Sequence, residues 1–369
     1  MKQKKIYSPV WALILGMGMI GGACSSDELA GRGQEEVRLQ PHFYAGTPRT
    51  RSIVNGTSSA GGADKINTVA LFVTRKDNHV AYPGVTASGK LNGYSLFTKQ
   101  SDDSWTGNPE VKLANIEARM YAYSPSDGTV TPATNADTHT IPVSIPADQT
   151  FAGGTSGSEG NGWECSGTDY LYGTTSQEIG TTSDITANNT SYKPSVYLHH
   201  ALAQVVFKLQ TVSGRPVDNT YDFVKKITLT ATGDYFRTGE SGTMLLKDGT
   251  LDALTAGKAL TFAPSVAASA VKCGDGANPK VVAYGLVAPM TTAPAASSIH
   301  LTILLGKPAA EDGERELTVT IPAPVQWTKG KRYIYTLNLS NRAVTVDATT
   351  TITEWTPQED SGDMKPDGF

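Results

Sequence analysis

Three groups of residues in this chain have types and spacing that could support chemistry: Cys24, the arginines at 49 and 51, and the pair His199 and His200. Cys24 follows Gly21, Gly22 and Ala23, which themselves follow an apolar stretch over residues 10–20 and a basic head of Lys2, Lys4 and Lys5. That order is an export signal cut just before the cysteine. Its apolar core is too short for a permanent bilayer span, which takes about 20 residues. A cysteine at such a cut is the bacterial lipoprotein pattern, in which the thiol takes a lipid and becomes the new amino terminus. Plain secretion with an incidental cysteine is the competing reading. Asp27 and Glu28, just behind the cysteine, favour display on the outer leaflet.

Arg49 and Arg51 lie in the turn-like stretch 46–52 (GTPRTRS), followed by small and polar residues from 55 to 62. Exposed loops of this composition are where proteases cut. The bland alternative is a soluble loop that is never processed. The histidine pair is less promising, because adjacent residues on a strand point to opposite faces and cannot converge on one metal. Packed histidines are the expectation there, and a solvated loop tip is the expectation for Asp102 and Asp103.

Nothing else in the chain suggests catalysis. The only G-x-G-x-x-G match, Gly16, Gly18 and Gly21, falls inside the export signal rather than between a strand and a helix. There is no G-x-S-x-G elbow, H-E-x-x-H pair, P-loop or calcium-loop spacing. The reading is therefore not an enzyme, with no cofactor and no metal. Charged residues make up 18% and the net charge is −4, so the basic field that phosphate backbones require is missing and nucleic acid is excluded as a partner. Cys165 and Cys273 stand far apart without C-x-x-C spacing, which leaves a disulfide and two buried thiols both open.

The elements that position these residues are strands. Period-two alternation recurs in Val69, Leu71 and Val73, in Ile227, Leu229 and Ala231, in Ile299, Leu301, Ile303 and Leu305, and in Leu317, Val319 and Ile321. The turn dipeptides Asp248-Gly249 and Asp312-Gly313 favour hairpins. Helical periodicity is weak, so the fold class is all-β and of sandwich type. The 369-residue chain exceeds what one core usually spans. Its Gly, Ser, Thr and Asn-rich stretch over 148–193 reads as a connection, broken by Tyr170, Leu171 and Tyr172. The expected organisation is a signal at 1–23, a propeptide at 24–51, and sandwich domains at 52–194 and 195–369. Residues 196–209 (VYLHHALAQVVFKL) read as one long buried strand.

One further strand precedes the arginines. Val37, Leu39, Phe43 and Ala45 share a face, with Arg38, Gln40, His42 and Tyr44 on the other. Pro41 cannot donate to a ladder, which places the segment at a sheet edge. An edge strand can leave without dividing its sheet.

At this point the chain resembles the fimbrillins of Bacteroidales, also called type V pilins. The resemblance rests on the lipoprotein signal at Cys24, Thr50-Arg51-Ser52 after the first strand, residues 169–173 (DYLYG), and residues 200–204 (HALAQ) leading into 205–209 (VVFKL). The ending 352–355 (ITEW) is also similar to members of that family.

The resemblance implies two transthyretin-like (Ig-like) β-sandwich domains in tandem, export as an outer-membrane lipoprotein precursor, and later residence in a cell-surface fimbrium. It implies cutting by an arginine-specific protease between Arg51 and Ser52, with Arg49 as runner-up. The first strand then departs and a strand from another fimbrial subunit fills its groove, in a homo- or hetero-polymer that contributes to adhesion.

In stalk subunits of the family that this chain resembles, the donor is a C-terminal strand region. Here residues 343–355, with Val344, Val346, Ile352 and Trp355, make a plausible strand, and stalk, tip or accessory position stays open. The competing reading is a monomeric surface lipoprotein that binds glycan or host protein through aromatics such as Trp105, Trp163 and Tyr170.

Overall fold

The structure is a computed structural model that describes residues 36–45 and 66–354, apart from 87, 127–129, 134–135, 153–164, 213–220, 267–269, 275–277, 308–312, 341–343 and 347–349. Cys24, Arg49, Arg51, Ser52, Trp163 and Trp355 lie outside the described residues. Every regular element among the described residues is a strand, and the fold is all-β.

The first sheet runs, edge to edge, through His42–Ala45, Ser195–His200, Leu171–Thr174, Ala118–Ser124, Thr68–Arg75, Tyr94–Lys99 and Trp105–Asn108, with Ile185–Ala187 also on Ala118–Ser124. One face covers a core that holds Val69, Leu71, Val73, Met120, Leu171 and Val196. The opposite face, with Ala70, Phe72, Tyr121 and Tyr172, belongs to a second and larger core. Thr68–Arg75 is therefore buried on both faces along its six central residues, and its alternation in sequence marks two cores rather than core and water.

The larger core lies mainly between two further sheets. One pairs Lys280–Val287, Ala203–Thr211 and Lys331–Leu339, and the other pairs Arg315–Ile321, Ile299–Gly306, Phe223–Ala231 and Ala259–Pro264. Phe207 from the first of these and Phe262 from the second meet with ring centroids 5.4 Å apart, which is the interdigitation expected of a β-sandwich. Pairing reverses around Gly249 and Gly313, the glycines of the two expected turn dipeptides. Their φ values of +71° and +80° are the left-handed backbone that glycine tolerates.

Two features depart from the sequence expectation. The apolar run 196–209 is two strands, since Ser195–His200 pairs in the first sheet and Ala203–Thr211 in the second sandwich, with the chain changing sheets at Ala201 and Leu202. Both strands are buried next to the switch, and neither Ala201 nor Leu202 is a turn residue, so local pattern does not mark it.

The stretch 148–193 also carries strands rather than only a connection. Asp148–Phe151 pairs with Ala259–Pro264, while Leu171–Thr174 sits inside the first sheet. Gly173 is required there, because a Cβ would stand 2.6 Å from the Ala122 Cβ and 2.9 Å from Val196 Cγ1. Thr140–Ile145 likewise pairs with Phe236–Leu245, so strands from both sides of Pro194 share sheets. No disulfide joins Cys165 and Cys273.

Candidate functional site

The residues just ahead of the two arginines form a bent ribbon that changes partners at Pro41. Val37–Arg38 pairs antiparallel with Lys112–Leu113, and the Leu39 amide donates to the Val111 carbonyl at 2.9 Å. Gln40 and His42 then donate to the carbonyls of Tyr192 and Pro194, at 2.9 and 3.0 Å. His42–Ala45 continues parallel to Ser195–His200, with His42 opposite Ser195 and Tyr44 opposite Tyr197. A proline fits the crossover because the residue that leaves one sheet for the other has no ladder partner for an N–H.

Alternation decides which side chains the body holds. Leu39, Phe43 and Ala45 are each 2% exposed and belong to the smaller core, whereas Arg38, Gln40 and His42 face solvent. Val37 is only half-buried. Phe43 is the deepest anchor. Its ring lies 4.9 Å from Trp105 and 5.9 Å from Phe97, both edge to face. Phe97 reaches that position because Gly107 has no side chain, a Cβ there falling 2.8 Å from Phe97 Cζ. Burying a Leu or Phe side chain contributes about 1.5–3 kcal/mol each, so Leu39 and Phe43 dominate retention of the ribbon.

The outer face adds an aromatic stack. Tyr44 lies on Tyr197 with centroids 4.7 Å apart and 14° between planes, and His42 tilts against Tyr44 at 4.4 Å. The remaining tethers are ion pairs of Arg38 with Glu110 and Lys112 with Glu36, both exposed and therefore weak. A surface cleft bordered by Gln40, Pro41, His42, Asp103, Thr106 and Lys193 follows the ribbon, so its outer side is open to water.

The candidate donor segment is placed differently. Val344–Val346 and Thr351–Glu354 both pair with Lys331–Leu339, along the edge that Ala203–Thr211 leaves open. All of Thr351–Glu354 is exposed, and Ile352 is 49% exposed. This strand is paired through its backbone and buries little.

The two sequence motifs that stood apart meet in the structure. His200 Nδ1 lies 2.9 and 3.0 Å from the two oxygens of Asp169, with both side chains essentially buried. Beyond the chain's change of sheets, Arg332 donates to Gln204 Oε1 at 2.6 Å. His199 points elsewhere, with Nε2 2.8 Å from the Ser176 carbonyl and 3.2 Å from Thr174 Oγ1. Burial pushes its pKa down to about 4. The two imidazoles are packed and separately partnered, and among the described residues no group of three or more His, Cys, Asp or Glu could hold a metal.

Sequence reasoning missed a second polar centre. Asp137 accepts from Tyr121 at 2.8 Å and pairs with Arg119, His79 and Lys247 at 2.9, 3.1 and 3.2 Å. Burial alone would raise the Asp137 carboxyl, yet the hydrogen bonds from Tyr121 and Lys247 and the Arg119 charge hold it below its ordinary range. His139, buried beside this centre, is pushed down to about 4. Asp102 and Asp103 form the expected loop tip, with Asp102 capping Ser104 and Asp103 facing Lys99 at 3.2 Å. Trp105 and Tyr170 are 5% and 6% exposed, which puts them in the cores rather than on a binding face.

Residues 50–355 match the fimbrillin-like family. The chain belongs to that family. This fimbrillin-like chain is similar in fold to a fimbrial protein from Bacteroides vulgatus, at 16% identity and a TM-score of 0.53, over 86% of this chain and 99% of that one. It is also similar to a candidate cell adhesion protein from Bacteroides uniformis, at 15% identity and a TM-score of 0.50, with the same coverage. Among curated proteins none matches it.

Proposed function

We propose that this fimbrillin-like chain is a structural subunit of a cell-surface fimbria, exported as a lipoprotein through Cys24 and assembled when a protease frees its first strand. Family membership supports a fimbrial or adhesion-related subunit at the cell surface. The observation that carries the finer reading is the ribbon itself: an edge strand buries Leu39, Phe43 and Ala45 to 2% exposure and is followed within six residues by Arg49 and Arg51.

A cut between Arg51 and Ser52 leaves the ribbon held by side-chain burial and a few ladder bonds, without covalent attachment to the body. Its loss uncovers core side chains and unpaired backbone groups along Ser195–His200 and Val111–Leu113. Such a slot binds an extended segment by strand addition. Replacement of one strand by another costs little, because the incoming strand restores the same burial and the same ladder bonds.

The monomeric glycan or host-protein binder has less support. Two of the three aromatics it would use, Trp105 and Tyr170, are buried.

Digestion with an arginine-specific protease, on cells that export this protein together with the other fimbrial subunits, tests the proposal. It predicts a new amino terminus at Ser52 and a ladder of multimers on a denaturing gel, both abolished by Arg49→Gln with Arg51→Gln. A protein that is cut at this site and stays monomeric in the presence of the other subunits contradicts it.

A further inference from the structure

The slot vacated by the ribbon has a shape that discriminates among strands. Going inward along its length, it holds Leu39, Pro41, Phe43 and Ala45, all buried. The Phe43 place is a ring-sized recess walled by Trp105 and Phe97. Two residues on, the Ala45 place holds a methyl group at 2% exposure. On the outer face between these two places, Tyr197 offers a flat ring that Tyr44 now covers. The pattern is therefore an aliphatic residue, then a proline or small residue, then two adjacent aromatics facing opposite ways, then a small residue.

Residues 343–355 of this chain do not meet that pattern in any register. Their apolar face reads Val344, Val346, Ala348, Thr350, Ile352, which offers no ring to the Phe43 place. Trp355 supplies a ring there only by putting Thr351 at the Leu39 place in the parallel direction, or Glu359 in the antiparallel one. Neither register sets an aromatic beside Trp355 to cover Tyr197, the neighbours being Glu354 and Thr356. A ring-sized void in a core is costly, as is a carboxylate without a partner.

We propose that this slot selects an extended segment of a different chain, one carrying adjacent aromatic residues followed by a small residue, and rejects this chain's own residues 343–355. The inference rests on the strand-replacement reading above and adds to it the chemistry of the incoming strand.

The test uses the full mature chain, nicked with arginine-specific protease and still holding its ribbon, mixed with excess fluorescent peptide. Native mass spectrometry and fluorescence polarisation read the exchange. A peptide of residues 36–46 is predicted to displace the ribbon. Its Phe43→Ala form is predicted to bind at least about tenfold more weakly through loss of the ring. Ala45→Phe is predicted to lose about tenfold or more through overpacking. Tyr44→Ala is predicted to lose about threefold or more through loss of the stack. A peptide of residues 342–356 is predicted to fall about a hundredfold or more below the parent, from the combined void and missing stack.

If residues 342–356 exchange as well as the parent, the selectivity is overturned while strand replacement stands. If even the parent peptide fails to exchange, strand replacement itself fails and the selectivity falls with it.

Discussion

Phe43 and Trp105 meet edge to face at 4.9 Å although their strands occupy opposite ends of one sheet's order. The sheet therefore curls until its first and last strands touch, and the contact closes the smaller core. A strand that closes a core from its edge is the one whose removal opens that core without parting any other pair. On the proposed reading, retention of this ribbon and its replacement have the same cause, which is a few inward side chains on a ribbon with one ladder neighbour along each of its halves.

Phe43→Ala, made in the uncut protein, is predicted to lower the unfolding free energy by about 3–5 kcal/mol, because the recess between Trp105 and Phe97 is left empty. Urea denaturation at neutral pH measures it. An effect below about 1 kcal/mol, within the range of ordinary surface changes, contradicts the placement of this ring as the main anchor.

Ile352→Thr is predicted to change stability by less than about 0.5 kcal/mol, since a half-exposed side chain on a strand with no buried residue has little to lose. The same denaturation series checks it, and a loss comparable to that of Phe43→Ala contradicts the exposed placement of Thr351–Glu354.

How much of this was legible in the sequence depends on what each segment borders. The ribbon could be read because one of its faces meets the core and the other meets water, so Val37, Leu39, Phe43 and Ala45 alternate with polar residues and Pro41 marks the edge. Residues 196–209 could not be divided, because both strands are buried and the change of sheet at Ala201 and Leu202 carries no turn residue. Leu171–Thr174 was hidden by Gly173, which looks like a loop residue but fills a position too tight for a side chain. The motifs around Asp169 and His200 were visible separately. Their contact, 31 residues apart, depends on strand register that local pattern does not encode.

Gly173→Ala is predicted to destabilise the protein by about 1–3 kcal/mol, because its Cβ would collide with Ala122 and Val196 in the middle of the first sheet. A thermal melt that leaves the midpoint unchanged contradicts the pairing of Leu171–Thr174 with both neighbours.

Stability is predicted to fall as pH is lowered from about 6.5 to about 4. Above this window His199 and His139 are neutral in both folded and unfolded chains. Within it the unfolded chain takes protons that the buried rings refuse, since their folded values lie near 4. Below it no further loss comes from these groups. Each contributes up to about 3 kcal/mol across the window. Urea midpoints at pH 7 and pH 5 measure the slope, and His199→Gln, which keeps a donor toward the Ser176 carbonyl, is predicted to flatten it. A slope unchanged by that substitution contradicts the assignment.

The most direct measurement locks the ribbon in place. His42 and Ser195 are exposed partners on adjacent parallel strands, where the spacing of about 4.8 Å lies within disulfide range. The variant His42→Cys with Ser195→Cys, cut with arginine-specific protease in the presence of the other fimbrial subunits, is predicted to stay out of the ladder of joined subunits on a non-reducing denaturing gel and to enter it once reduced. A ladder of equal extent in the oxidised protein would mean that assembly does not pass through the vacated slot.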